Sequence, residues 1–326
     1  ILFFQNTSSL PYDIRRNIKN IIPSIKRVVI EEDHPGAYQD FSDSDIFIVD
    51  TPVLAERYKN LKPPLVYHAF DDDILNNELL KKNNQKEFEL GFLGSLRFPE
   101  SRYYLLKELE NSFELNIWAD KKIRKLRKVK NNYKHYIALG LENIISKKYF
   151  KDVFDKIDAK KIPRKINSLF YNANAKLMTR NTIAGLKIPD AEDIEKENFN
   201  WLNKKNINDD LHGIEYYQTI QKTKILLNKH GDFAGYTVDN IKMFEFTGMG
   251  SCLVTDTGYN MKEIFEDGKE VVTYQSIDEA KEKIKYLIDN PNVAKEIAIN
   301  GQKRTLKDHT TTQRNLKICE IISNKF

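Results

Sequence analysis

The sequence predicts an α/β protein built on parallel sheets, and three observations predict it. Short apolar runs alternate with amphipathic helical patterns over residues 1–80. The alternation begins again at residue 88. Residues 224–256, KILLNKHGDFAGYTVDNIKMFEFTGMGSCLVTD, then read as strand, loop, helix and strand. Strands separated by helices need crossover connections, and crossovers make neighbouring strands parallel.

In the first 80 residues the strand candidates are 1–5 (ILFFQ), 27–30 (RVVI), 45–50 (DIFIVD, ended by Thr51-Pro52) and 65–67 (LVY). Helical patterns lie between them at 13–22 and 52–60. The opening ILFFQ reads as a buried strand rather than a true chain start, so this domain is expected to be only partly present. The stretch 76–86 (NNELLKKNNQK) is charged and amide-rich with one pair of leucines to bury. It reads as a linker, which places the domain boundary at 80/81.

The second domain opens with a strand at 88–93 (FELGFL), the turn Gly94-Ser95, a helix at 99–109 and a strand at 115–118. A glycine after a strand lets backbone approach a ligand closely, although a plain strand-to-helix turn also explains it. Residues 120–210 form a longer insert, helical in pattern and densely basic. One run holds Lys121, Lys122, Arg124, Lys125, Arg127, Lys128, Lys130 and Lys134; a second runs from Lys147 to Lys165. Interleaved Ile, Leu, Tyr and Phe make both runs amphipathic. A solvated helical face, contact with an anionic membrane through 121–165, and nucleic-acid binding are the three readings. No nucleic-acid-binding motif accompanies the charges, and a net charge of +5 is mild, so no nucleic-acid partner is expected.

From residue 211 the α/β order resumes. A helix from 213 leads to the strand at 224–227 and the central stretch. After Asp256 come a short helix at 261–265, a strand at 271–274 and a helix at 277–288. Asn290-Pro291 breaks the chain before a helix at 293–300 stopped by Gly301, and a last helix spans 312–323.

With 326 residues, 40% hydrophobic and 30% charged, the chain can bury two cores of ordinary size. No apolar run reaches the roughly 18–20 residues of a membrane span, and no secretory signal pattern is present. Cys252 and Cys319 are too few for a disulfide scaffold and fit a reducing cytoplasm. No Cys/His cluster has zinc-ligand spacing.

Chemistry concentrates in the central stretch. The run Ile225-Leu226-Leu227 ends at Asn228-Lys229-His230, and a glycine-bearing polar loop follows from 231 to 237. A helix then opens at Asp239 or Asn240, either of which suits an N-cap, and closes at Gly248. In parallel sheets ligands sit beyond the carboxyl ends of the strands, where helix N-termini offer N–H groups and positive dipole ends to phosphate. Lys242 and Glu245 share one helical face near that end. A cation for phosphate and a carboxylate for hydroxyls suit a nucleotide-sugar; a surface ion pair is the competing reading.

The ordered series resembles the C-terminal half of GT-B glycosyltransferases, in the CgeB-like, "glycosyl transferases group 1" branch. It comprises Asn228-x-His230-x-Asp232-x-Ala234-Gly235, then NIKMFEFTGMGSCLVTD from Asn240, then Asn260-Met261-Lys262-Glu263-Ile264-Phe265 and GKEVVTY from Gly268. Ile297-Ala298, Gly301-Gln302, Arg304-Thr305-Leu306, His309-Thr310 and Arg314 complete it. The resemblance implies two Rossmann-like domains. Residues 1–80 would be a partial acceptor-side domain, closing near His68-Ala69-Phe70-Asp71, and residues 81–326 the donor domain with its insert. The last helix would return toward the first domain.

The activity implied is metal-independent transfer of a sugar, of hexosyltransferase type, from a nucleotide-sugar to a glycan, a lipid-linked sugar or a protein. Cell-surface polysaccharide or glycoconjugate synthesis of bacterial type would be its setting, in the cytoplasm or peripherally at the inner face of the membrane. No cofactor is implied. The sequence has no Asp-x-Asp pair flanked by apolar strand; Asp43-Ser44-Asp45 and Asp71-Asp72-Asp73 read as turn or capping residues.

Residue by residue, the resemblance puts Lys242 at the donor pyrophosphate, where many relatives carry Arg, as a point charge rather than a fork. Glu245 matches the glutamate that holds ribose or sugar hydroxyls, and His230 completes the catalytic candidates. Gly94, Ser95, Asn228 and Asn240 join these three as donor-binding candidates. Retaining relatives carry a second acidic residue eight positions before Glu245, where this chain has Thr237, with Asp232 and Asp239 as the nearby carboxylates. An inverting enzyme needs a general base, for which Asp33, His34, His68 and Asp71 are the acceptor-side candidates. His309 reads as structural. The rival function is a degenerate module that binds a partner transferase or a membrane without chemistry. The retained polar set Asn228, His230, Asn240, Lys242 and Glu245 argues against it.

Overall fold

The computed structural model describes residues 1–5, 12–32, 41–42, 44–81, 85–96, 100–119, 207–231 and 237–326. Asp33, His34, Asp43, Asp232, both basic runs and nearly all of the expected insert lie outside these residues. Contacts divide the chain into two units, one holding Ile1–Tyr67 and Cys319–Phe326, the other the described residues from His68 to Ile318.

The first unit alternates β1 (Leu2–Gln5), α1 (Tyr12–Ile21), β2 (Val28–Glu32), β3 (Ile46–Val49) and α2 (Pro52–Arg57). The three strands are parallel in the order β1-β2-β3. β2 and β3 are buried along their whole length, as strands covered on both faces must be. β1 differs from the buried strand expected of ILFFQ. Phe3 is 40% exposed, while Leu2 and Phe4 are half-buried, because β1 lies at the edge of the described sheet. The run at 65–67 contributes a single bridge, Leu65 to Val49, rather than a fourth strand. Thr51 caps α2 by accepting from Leu54 N, with Pro52 in the first turn where no N–H is needed. Phe41 stacks on Phe47 at 4.2 Å and Tyr58 meets both rings edge-on, closing this core.

The second unit is a six-stranded parallel sheet of β4 (Phe88–Leu93), β5 (Leu115–Trp118), β6 (Ile207–Asn208), β7 (Thr223–Asn228), β8 (Cys252–Asp256) and β9 (Val272–Tyr274). Its described helices are α3 (Glu78–Lys81), α4 (Glu100–Glu110), α5 (Gly213–Lys222), α6 (Ile241–Gly248), α7 (Met261–Ile264), α8 (Ile277–Asp289) and α9 (Pro291–Asp308), and α10 (Thr311–Lys325) begins in it, with the residues from Cys319 on counted in the first unit. The strand order is β6-β5-β4-β7-β8-β9. The chain therefore winds outward from β4 through β5 to β6, returns to β7, and winds outward on the other side. Such a reversal leaves a crevice at the carboxyl ends of the two central strands. Leu90, Phe92, Ile225, Leu227 and Val254 face a core completed by Leu106 and Leu109 of α4 and Ile284 and Leu287 of α8.

The structure departs from the sequence reading in three places. The division between units falls between Tyr67 and His68, ahead of 80/81. Phe70 N donates to His309 O at 2.8 Å, and Thr311 N donates back to Phe70 O at 2.9 Å. Part of the presumed linker is α3, which buries Leu80. Gly301 does not stop a helix: α9 runs through it to Asp308, and the position needs glycine because an added Cβ would strike the carbonyl oxygen of Glu270. α6 does close at Gly248, with Met249 as its C-cap, and Gly250 takes the left-handed conformation at φ 75°.

At Gly248 a Cβ would meet the Phe70 ring at 2.5–2.8 Å. Gly248→Ala is therefore expected to destabilise by about 1–3 kcal/mol, although Ala normally favours a helix. Urea unfolding measures it; unchanged or greater stability would contradict the packing.

Candidate active site

A cavity of about 670 Å³ opens where the topology places a crevice. Leu93, Gly94 and Ser95 line it from the end of β4, and Trp118 from the end of β5. Asp210, Leu211, His212, Gly213, Tyr216 and Tyr217 line it from the start of α5, and Ile241, Lys242 and Glu245 from the start of α6. The volume lies in the range of ordinary small-ligand sites.

The start of α6 is fixed from beneath by the tips of β7 and β8. Asp256 ends β8, and its Oδ2 accepts from Lys229 Nζ at 2.8 Å. Its Oδ1 accepts from His230 N at 2.9 Å and contacts His230 Nδ1 at 2.8 Å. His230 Nε2 faces the backbone N–H groups of Asp239 at 3.2 Å and Asn240 at 3.4 Å. Accepting from them requires a lone pair on Nε2, so Nδ1 carries the proton and donates to Asp256. Burial alone would raise the Asp256 carboxyl, but Lys229 and His230 hold it well below the usual carboxylate range. Asn240 is the N-cap: its Oδ1 accepts from Met243 N at 3.3 Å, and its Nδ2 donates to Asn228 Oδ1 at 3.0 Å. Asn228 Nδ2 in turn donates to Thr255 Oγ1 at 2.9 Å.

This network places three predicted donor residues. Asn228 and His230 are buried and Asn240 is half-buried; the two asparagine side chains bond each other, His230 bonds Asp256 and the backbone of Asp239 and Asn240, and none of the three lines the cavity. They hold the helix that reaches the cavity. With Met243 N capped, the first-turn N–H groups of Ile241 and Lys242 remain for a ligand.

Lys242 and Glu245 both line the cavity, as their spacing predicts. The structure adds two tyrosines between and beside them. Tyr216 OH donates to Glu245 Oε2 at 2.6 Å and Tyr217 OH to Oε1 at 3.2 Å. Lys242 Nζ donates to Tyr216 OH at 3.2 Å and lies 5.0 Å from the centre of its ring. Burial, and then the Glu245 charge, push both phenols up, so they remain protonated donors. Burial lowers the Lys242 ammonium, Glu245 opposes that, and Arg102 adds to it.

Arg102 of α4 joins the two loops at the crevice, donating to Ser95 O and to Lys229 O, each at 2.6 Å. Gly94 lies against the stem of Lys242, whose Cε would stand 3.5 Å from an added Cβ, with the Phe92 ring at 3.0 Å. The lysine thus packs on bare backbone.

Of the acceptor-side candidates, Asp33 and His34 fall outside the described residues. His68 is half-buried and Asp71 caps the turn at Asp72–Asn76, accepting from Asp73 N at 3.3 Å; neither lines the cavity. Asp45 accepts from Val28 N at 2.8 Å and Lys19 Nζ at 2.7 Å. His309 Nε2 contacts Ile264 O at 3.0 Å, and its ring packs against Phe244 and Phe265, the structural role its position implies.

Sequence reasoning missed Tyr216, Tyr217 and Trp118. A tyrosine pair in the first turn of a helix is a usable sign only when a strand precedes it. Here that strand is β6, only 2 residues long and too short for any periodicity to mark.

Asp239, next to the cap, is buried, and its Oδ2 has no partner. Burial pushes its carboxyl up to about 6, opposed by His230. A carboxyl raised in the folded state binds its proton there first, so ionising it costs stability as pH rises from about 4 to about 6. Asp239→Asn should stabilise the protein at pH 7 by up to about 3 kcal/mol and leave it nearly unchanged near pH 4. Urea unfolding at the two pH values measures this; an equal effect at both would contradict it.

Comparison with known proteins follows the same lines. Residues 164–320 match the family described as glycosyl transferase-like. HepE of Anabaena, solved with UDP and glucose, superimposes with a TM-score of 0.56 at 10% identity, covering 98% of this chain and 77% of that one. A glycosyltransferase from Rickettsia africae gives 0.54 at 11% identity, covering 98% and 83%. Sucrose-phosphate synthase from Thermosynechococcus elongatus gives 0.53 at 9%, covering 99% and 72%. No curated protein matches the chain. Residues 164–320 are thus similar to the glycosyl transferase-like family, and the fold of the chain is that of the GT-B glycosyltransferases.

Proposed function

We propose that the chain transfers a sugar from a nucleotide-sugar held in the cavity between β4, α5 and α6. The observation that carries this reading is the pair Lys242 and Glu245, facing one cavity at the point where strand order reverses. The bond from the anomeric carbon to the phosphate breaks with negative charge building on the nucleoside diphosphate. In this reading Lys242 and the N–H groups of Ile241 and Lys242 stabilise that charge, with no metal invoked. Glu245 accepts from donor hydroxyls. Trp118, Leu93 and Leu211 give the apolar wall a nucleobase needs.

The acceptor in this proposal is a glycan, a lipid-linked sugar or a protein, as in cell-surface polysaccharide or glycoconjugate synthesis. The basic runs at 121–165 would bring the enzyme to an anionic membrane face. HepE, solved with UDP and glucose, supports a uridine nucleotide as the first ligand to try.

Thermal shift with UDP-, GDP-, CMP- and TDP-sugars tests the reading. The right donor at about 100 times its Kd should stabilise the wild type by about 2.7 kcal/mol. Lys242→Ala and Glu245→Ala should each weaken binding at least about tenfold. No shift with any of the four, or unchanged affinity in Glu245→Ala, would overturn it.

A further inference from the structure

Lys242 and Glu245 stand three residues apart on α6, the spacing at which a lysine and a glutamate ordinarily pair. A direct pair would neutralise both groups and leave neither for a ligand. The structure interposes a phenol instead. Tyr216 OH accepts from Lys242 Nζ at 3.2 Å and donates to Glu245 Oε2 at 2.6 Å, while Tyr217 OH holds the other oxygen at 3.2 Å. The ammonium still has two N–H groups, and each carboxylate oxygen still has a lone pair to offer. The two charges lie close enough for each to act on the other, yet they are joined only through the hydroxyl.

We infer that Tyr216 is a positioning residue: its hydroxyl keeps Lys242 and Glu245 from closing on each other and so holds the ammonium available to the phosphates of the donor. The inference rests on the nucleotide-sugar reading of this cavity. The ring of Tyr216 lies under the ammonium, and a phenylalanine retains that ring. Tyr216→Phe thus removes the hydroxyl bridge alone. Lys242 and Glu245 then pair directly, and a phosphate must break that pair before it binds. Tyr217 packs edge-on against the Tyr216 ring and, of the two charges, bonds Glu245, so its hydroxyl does not separate them.

The test measures binding of inorganic pyrophosphate to the full chain by calorimetry, with UDP, GDP, CDP and ADP titrated into the wild type in parallel. Pyrophosphate carries the phosphates and no hydroxyls, so it reports on Lys242 without the contribution of Glu245 to sugar contacts. Tyr216→Phe is expected to weaken pyrophosphate about tenfold, and Tyr217→Phe by less than about threefold. Adding Glu245→Gln to Tyr216→Phe should restore wild-type affinity or better, because the amide cannot trap the ammonium. A general loss of structure would not be rescued by a second substitution. If the wild type binds pyrophosphate and a nucleotide but Tyr216→Phe binds equally well, or Glu245→Gln fails to rescue it, the inference falls and the nucleotide reading stands. If the wild type binds neither, both fall.

Discussion

The Asp256 carboxylate at the tip of β8 is the constraint on which the site depends. It is kept ionised by Lys229 and His230, and through the imidazole its hold reaches the N–H groups of Asp239 and Asn240. Two strand ends thereby set the first turn of α6, and α6 sets Lys242 and Glu245. A buried charge with good partners contributes little net stability, but losing one partner leaves an uncompensated charge at a cost of about 3–5 kcal/mol. Such an arrangement specifies geometry more than it adds stability.

The polar series from Asn228 to Glu245 therefore divides by depth. Asn228 and Asn240 bond each other and His230 bonds Asp256 and the backbone below the cavity, while Lys242 and Glu245 rise into it. The first group supports and the second faces the ligand. Opposite them, Arg102 draws the loop after β4 to the loop after β7, and Gly94 lets the Lys242 stem lie on bare backbone. The crevice is thus closed by hydrogen bonds to carbonyl groups, which preorganise it without filling it.

Much of this was legible in the residues. The central strands are apolar runs with clear ends, so β4, β5, β7 and β8 fall within a residue of their expected places. Lys242 and Glu245 could be read because helical spacing puts them on one face. Depth could not be read: a histidine after a strand looks the same whether its nitrogens meet ligand or backbone. Gly301 resembled a helix stop because the true cause of the glycine, the Glu270 carbonyl, lies far away in sequence. Leu80 looked like linker because α3 holds only 4 residues and buries one face through tertiary contacts alone. Tyr216 and Tyr217 gain meaning only once α5 is set beside α6, and no local pattern announces that pairing.

The central claim is that the cavity between α5 and α6 receives the phosphates of a nucleotide at Lys242. A crystal structure of the protein with a bound nucleoside diphosphate tests it most directly. The account predicts a phosphate oxygen within hydrogen-bond distance of Lys242 Nζ and the first N–H groups of α6, with a ligand hydroxyl on Glu245. A nucleotide bound elsewhere, with Lys242 still on Tyr216 and the cavity unfilled, would contradict it.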